Sequence, residues 1–191
     1  MPNLYIIAGC NGAGKTTASY TVVPEIFYCK EFVNADMIAA GISPFNPESV
    51  ALEAGRIMLK RIRELIGEQA DFAFETTLAT RSYISLIKDA KKQGYQIILL
   101  FFWLDSPQQA VKRVAMRVAK GGHHIPDETV HRRYYRGIKN LLHLYTPYCD
   151  KWMVFDNMDM KPDIVAQYDE LGKVIFNDEL WNTILLTSNG N

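Results

Sequence analysis

The chain has 191 residues, 48% of them hydrophobic, enough for one well-cored domain over 1–191 but not for two. Lysine plus arginine equals aspartate plus glutamate at 21 each, so the net field offers no bulk attraction to nucleic acid or to an anionic membrane, and any polyanion site has to be local. Cys10, Cys29 and Cys149 are scattered without C-x-x-C spacing, no apolar run approaches about 18 residues and no secretory start is legible; a disulfide framework, a zinc site and a membrane span are excluded, and the cytoplasm is the expected compartment.

In chain order, Leu4-Tyr5-Ile6-Ile7-Ala8 has the composition of a strand buried on both faces. The next stretch, Gly9-Cys10-Asn11-Gly12-Ala13-Gly14-Lys15-Thr16 with Thr17 behind it, fits the P-loop (Walker A) pattern G-x-x-x-x-G-K-[S/T] without a mismatch. A helix is expected from Thr16 to Val22, ended by Val23-Pro24. Strand, glycine loop and helix start together predict a triphosphate cradle: backbone N–H groups for the phosphates, Lys15 as a point charge for the β- and γ-phosphates, and the Thr16 hydroxyl on Mg²⁺.

Glu31 to Asn34 reads as the second strand, which puts Asp36 at its carboxyl end, the sheet edge where open α/β folds bind ligands. Two roles are open to Asp36 there: a functional carboxylate facing a ligand, and the cap of a helix starting at Met37. Gly41 to Asn46 is a loop by composition, and Asn46-Pro47-Glu48 starts a long helix whose apolar residues keep helical spacing from Val50 to Ile66. The third strand, Asp71 to Glu75, again ends on an acid, and Thr76 to Arg81 leads into a helix that stops near Gly94. Gln96 to Leu104 is a fourth, strongly apolar strand, followed by a helix that Ser106 caps, with Pro107 at its first position.

Between about 112 and 139 lies the cation cluster that the neutral total conceals. Arg113 and Arg117 share a helix face, Arg132 and Arg133 belong to the next helix, and Gly121 to Pro126 is the flexible turn between them. A hinged arm carrying guanidinium groups predicts a lid over a transferring phosphoryl group; the alternative is two amphipathic helices with solvated charges. His123 and His124 have no acidic or cysteine partner nearby and read as loop polar groups rather than metal ligands. Trp152 to Asn157 gives a fifth strand. Past it, in an extension over about 158–191, Asp163 to Tyr168 and Lys173 to Phe176 read as a hairpin, and Asn177 or Asp178 caps a last helix.

The expected fold is therefore α/β: a P-loop kinase-type parallel five-stranded sheet wrapped by helices, with a helical lid and a C-terminal β-hairpin plus helix. N-K-x-D and L-S-G-G-Q are absent, which argues against regulatory GTPases and transporter-type ATPases. Acids ending strands two and three, together with a basic lid, form the layout of a small-molecule kinase, since phosphoryl transfer needs a carboxylate at the acceptor hydroxyl and spread-out positive charge. A non-catalytic nucleotide-binding module is the rival.

Gly9 to Thr17, Val33-Asn34-Ala35-Asp36, Phe74-Glu75-Thr76-Thr77-Leu78-Ala79 with Arg81, and Arg117-Val118 through Gly121-Gly122-His123-His124-Ile125-Pro126 to Arg132-Arg133-Tyr134 resemble the short bacterial zeta-toxin-like P-loop kinases over about residues 3 to 157. Zeta toxins phosphorylate UDP-N-acetylglucosamine with ATP or GTP. The resemblance implies Asp36 as catalytic base and Lys15 as its catalytic partner at the phosphates. It further implies Glu75 as a substrate-side or Mg²⁺-side carboxylate, Thr77 and Arg81 as substrate contacts, and Arg117, Arg132 and Arg133 as lid clamps. A small-molecule acceptor such as a nucleotide sugar, and an antitoxin protein, are the partners it implies; nucleic acid and membrane are not expected.

Overall fold

The computed structural model describes residues 1–122, 124–159 and 161–190. The apolar run before the glycines forms β1 (Asn3–Gly9), and the P-loop feeds α1 (Lys15–Thr21). Pro24 does not stop the chain where expected. It lies in a wide π turn, Val22–Ile26, closed by Phe27 N–H donating to the Val22 carbonyl at 3.0 Å, which accommodates a residue that lacks an N–H.

There follow β2 (Glu31–Val33), α2 (Ala35–Ile42), a 3₁₀ turn at Pro47–Val50, α3 (Ala51–Gly67), β3 (Phe72–Thr76), α4 (Tyr83–Lys92) and β4 (Gln96–Trp103). Asn46 makes no side-chain cap; its carbonyl accepts from Ser49, which tightens the first turn to 3₁₀ before α3 begins. The basic helices are α5 (Pro107–Ala119), capped by Ser106 as its sequence predicts, and α6 (Asp127–Asn140). The chain ends with β5 (Lys151–Asp156), β6 (Asp163–Asp169), β7 (Gly172–Ile175) and α7 (Asp178–Asn189), the last capped by Asn177.

Among the described residues the sheet runs β2-β3-β1-β4-β5-β6-β7, its first five strands parallel and its last two antiparallel. The expected count of five strands is thus exceeded, because the hairpin continues the main sheet. The open edge of β5 accepts β6, and Trp152 stacks on Tyr168 and Trp181, which seals that end.

β1 lies between β3 and β4, so the crevice at the carboxyl ends of the strands opens beside the P-loop. Register then places the acids. Ile7 pairs with Glu75 and Ala8 with Thr76, so Glu75 reaches the edge where β1 turns into the glycine loop. The core fills one face of the sheet with Leu4, Ile6, Phe72, Phe74, Leu99 and Phe101 and the other with Tyr5, Ile7, Leu100 and Phe102, each contributing roughly 1.5–3 kcal/mol by burial.

Candidate active site

The P-loop folds back on itself around Lys15. Gly14 sits at φ 79°, a left-handed conformation favoured by glycine, and a Cβ there would meet the Asn157 side-chain nitrogen at 2.6 Å. The buried Lys15 ammonium donates to the Cys10 carbonyl at 2.9 Å and lies 3.6 Å from Glu75 Oε1. Glu75 is itself nearly enclosed, and its second oxygen accepts from both the Thr16 hydroxyl and Asn34 Nδ2 at 2.8 Å. A buried carboxylate is tolerated only with such partners. One acid from β3 thereby gathers the lysine and threonine of the P-loop and the end of β2.

Asp36 is not the helix cap. Asn34 takes that role, its Oδ1 accepting from the N–H groups of Asp36 at 2.8 Å and Met37 at 3.2 Å, so α2 starts at Ala35 and Asp36 stands in its first turn. Relieved of capping, Asp36 lines the cleft of about 540 Å³ that also contains Gly12, Gly14, Lys15, Thr16, Thr17 and Glu75. It lines two smaller adjoining pockets as well. One of about 180 Å³ is shared with Thr77, Thr80, Tyr83 and Arg133, and one of about 170 Å³ is walled by Ala39, Pro47, Ile125 and Thr129.

The lid residues divide. Arg113 and Arg117 of α5 both reach the P-loop cleft, with Lys120 and Gly121 beyond them. Arg113 is tied by Nη2 to the Met158 carbonyl at 2.6 Å. From α6, Arg133 Nη1 donates to Asn11 Oδ1 at 3.2 Å, directly on the P-loop. Burial pushes the Arg133 guanidinium below its ordinary value, and the charge of Asp36 opposes that shift.

Arg132, its neighbour, is turned about 100° around the helix from Arg133 and lines a different cavity together with Arg81. The resemblance groups Arg132 with the phosphate clamps and Arg81 with the substrate contacts; neither lines the P-loop cleft, and helical geometry separates Arg132 from Arg133. His123 lies outside the described residues, and His124 is exposed. Cys10 is buried in the loop, and burial pushes its thiol up to about 11 against the opposing pull of Lys15 and Arg113.

Three contributors escaped the sequence reading. Asn157, at the end of β5, donates to the Ala13 carbonyl at 2.6 Å and braces the P-loop from across the sheet. Gly137 lets α6 approach the loop after β3 so closely that a Cβ would lie 2.6 Å from the Thr77 carbonyl. Asn34 was legible in principle, because an asparagine directly before Ala-Asp-Met is a standard cap signal; the other two depend on tertiary contacts.

A sheet whose strand β1 runs into the P-loop, with an acid at the end of the adjacent β3, a second acid just past the end of β2 and a basic helical arm lining the same cleft, defines a P-loop kinase fold. Residues 1–161 match the zeta toxin family, and the chain belongs to that family. An uncharacterised protein of Haemophilus influenzae is 30% identical over 126 residues, 66% of this chain and 88% of that protein. Among solved structures, the AvrRxo1-ORF1:AvrRxo1-ORF2 complex with sulphate ions aligns with TM-score 0.79 at 19% identity, over 96% of this chain but only 63% of that one. The PezAT toxin–antitoxin system of Streptococcus pneumoniae aligns with TM-score 0.68 at 14% identity, over 100% of this chain and 80% of that chain.

Proposed function

We propose that this chain is a phosphotransferase that moves the γ-phosphoryl group of ATP or GTP to a hydroxyl of a small molecule seated at Asp36. The observation that carries this reading is the position of Asp36, which lines both the P-loop cleft and the pocket bounded by Thr77, Thr80 and Arg133. A carboxylate at that junction faces donor and acceptor together.

In the proposed step, loop N–H groups and Lys15 hold the triphosphate. Asp36 takes the acceptor's proton as the hydroxyl oxygen attacks the γ-phosphorus, and the bond to the β–γ bridging oxygen breaks to release the nucleoside diphosphate. Arg117 and Arg133 neutralise the charge that develops on the equatorial oxygens. Glu75 relays position rather than protons, since both of its oxygens already face Lys15, Thr16 and Asn34.

The Thr16 hydroxyl and the Glu75 carboxylate, 2.8 Å apart, are hard oxygen donors that fit Mg²⁺, and among the described residues no group of three or more His, Cys, Asp or Glu offers a denser metal cage. That pattern suits an ion held mainly by the nucleotide; when bound, Mg²⁺ supplies charge neutralisation at the phosphates.

Membership of the zeta toxin family favours a nucleotide sugar such as UDP-N-acetylglucosamine as the acceptor and an antitoxin as a protein partner. Buried, unpaired cysteines at positions 10, 29 and 149 favour the cytoplasm, and among the described residues no helix is long and apolar enough to cross a membrane. The test is transfer of γ-³²P from ATP and from GTP to a panel of nucleotide sugars, nucleosides and aminoglycosides. A labelled product whose formation needs Asp36 is expected. Label released only as inorganic phosphate with every acceptor would leave an ATPase and end the kinase reading.

A further inference from the structure

The loop that follows β3, α6 and Thr187 of α7 frame a cavity of about 760 Å³, and no P-loop residue is among its described lining. Among the described residues its charged lining is Arg81, Arg132, Arg136 and Lys139, with no carboxylate side chain beside them. Positions 132, 136 and 139 fall on one face of α6 by helical spacing, and Arg81 meets them from the loop.

Elsewhere on the surface some cations, such as Arg56 and Arg63, form no ion pair among the described residues, and others are paired. Arg61 is paired with Glu31, Glu64 and Glu68, Lys91 with Asp150, and Lys151 with Glu170. Among the described residues, Arg81, Arg132 and Arg136 form no ion pair. Like charges massed around a concavity repel one another, a cost that an anion between them removes.

The wall they stand on is held in place. Asn140 donates to the Leu78 carbonyl and Tyr145 to the Thr80 carbonyl, each at 2.6 Å, and Thr76 Oγ1 accepts from the Leu78 N–H at 3.1 Å. Leu78 is fully buried at φ 55°, a left-handed conformation that a non-glycine residue keeps only where its surroundings over-determine it. Guanidinium forks on a fixed wall match the planar oxygen pairs of phosphates. The cavity has the size of a small-molecule pocket and lies on a chain without the net positive charge that a polynucleotide surface uses.

We propose that this cavity is a second phosphate-binding site, independent of the P-loop, which takes a phosphate or diphosphate group borne by a small molecule or present as the free anion. It does not rest on the kinase reading. The site is tested on full-length Lys15→Ala protein, in which the P-loop lysine is gone, by calorimetric titration with inorganic pyrophosphate. Saturable binding of one pyrophosphate per chain is expected, weakened by rising salt. Arg132→Ala/Arg136→Ala in the same background should lower the affinity at least about 10-fold, the scale of lost charge-assisted hydrogen bonds. Both residues are solvent-exposed, so the substitutions leave the core untouched. The control, Arg56→Ala/Arg63→Ala on α3, removes the same charge away from the cavity and should change affinity by less than about 2-fold.

Glucose 1-phosphate compared with inorganic phosphate separates the two sources. Tighter binding of the sugar phosphate assigns the site to a phosphate carried on an organic body, and equal binding assigns it to the free anion. Absence of saturable pyrophosphate binding, or equal losses in the two double variants, overturns the proposal.

Discussion

Two regions of this molecule are proposed to bind anions, and they are built in opposite ways. The P-loop cleft takes one wall from a single short stretch, Asn11, Gly12 and Gly14 to Thr17, joined by Asp36, Glu75, Arg113 and Arg117. The cavity on α6 is made of side chains brought together from a loop and three successive turns of a helix. The first is written in the sequence as a fixed spacing; the second exists only after α6 packs on the loop that follows β3. Arg132 and Arg133 show the contrast most sharply, since one peptide bond separates them and they serve different cavities.

The largest expected effect tests the P-loop cleft. Lys15→Ala should lower phosphoryl transfer by roughly 10³-fold or more while leaving the fold intact, because the ammonium is proposed to serve a phosphate and, among the described residues, its polar partners are the Cys10 carbonyl and Glu75, which keeps Thr16 and Asn34. Circular dichroism and a transfer assay check both halves; full transfer by this variant would remove the P-loop assignment.

Next comes the pair that divides the two regions. Arg133→Ala should lower kcat by roughly 10²-fold with a smaller change in nucleotide Kd, as Arg117→Ala should, because a clamp acts on the transition state. The loss in kcat from Arg132→Ala should be at least about 10-fold smaller than that from Arg133→Ala. Equal losses would mean that the two arginines act together and that the division between the cavities has no functional meaning.

A smaller effect concerns how α6 meets the loop. Alanine normally gains about 1 kcal/mol over glycine inside a helix. At Gly137 the added Cβ would press on the Thr77 carbonyl at 2.6 Å, so Gly137→Ala should instead destabilise the fold by about 1–2 kcal/mol. Denaturant melts give the sign; a stabilised variant would show that the contact is loose. The smallest effect is a non-event: the Cys10 thiol, pushed up to about 11 by burial, should resist alkylation at neutral pH in the folded protein.

Much of the fold was legible because its signals are local. Alternating apolar strands and capped helices, Ser106 and Asn177 among the caps, gave the elements and their order. The fate of the hairpin was not legible, since joining the main sheet depends on the free edge of β5 and on Trp152 stacking with Tyr168 and Trp181, contacts distant in sequence. The same distinction holds at the candidate site. Asp36 and Glu75 could be placed because strand ends can be read, whereas Asn157 bracing Ala13 and Gly137 beneath Thr77 are long-range approaches that leave no periodic trace. Capping was one of the two roles open to Asp36; Asn34 performs it, two residues earlier, which leaves the Asp36 carboxylate to line the cleft.

That consequence is tested most directly by Asp36→Asn, with nucleotide binding and phosphoryl transfer measured on the same purified protein once an acceptor is in hand. The change keeps shape and removes the charge, and the helix cap on Asn34 is untouched. Nucleotide Kd should stay within about 3-fold of the unmodified chain while transfer falls by roughly 10²-fold or more, the scale of a lost general base. Transfer within about 3-fold of the unmodified chain, with the protein folded and nucleotide bound, would contradict a base at Asp36 and move the search for the proton acceptor elsewhere in the cleft.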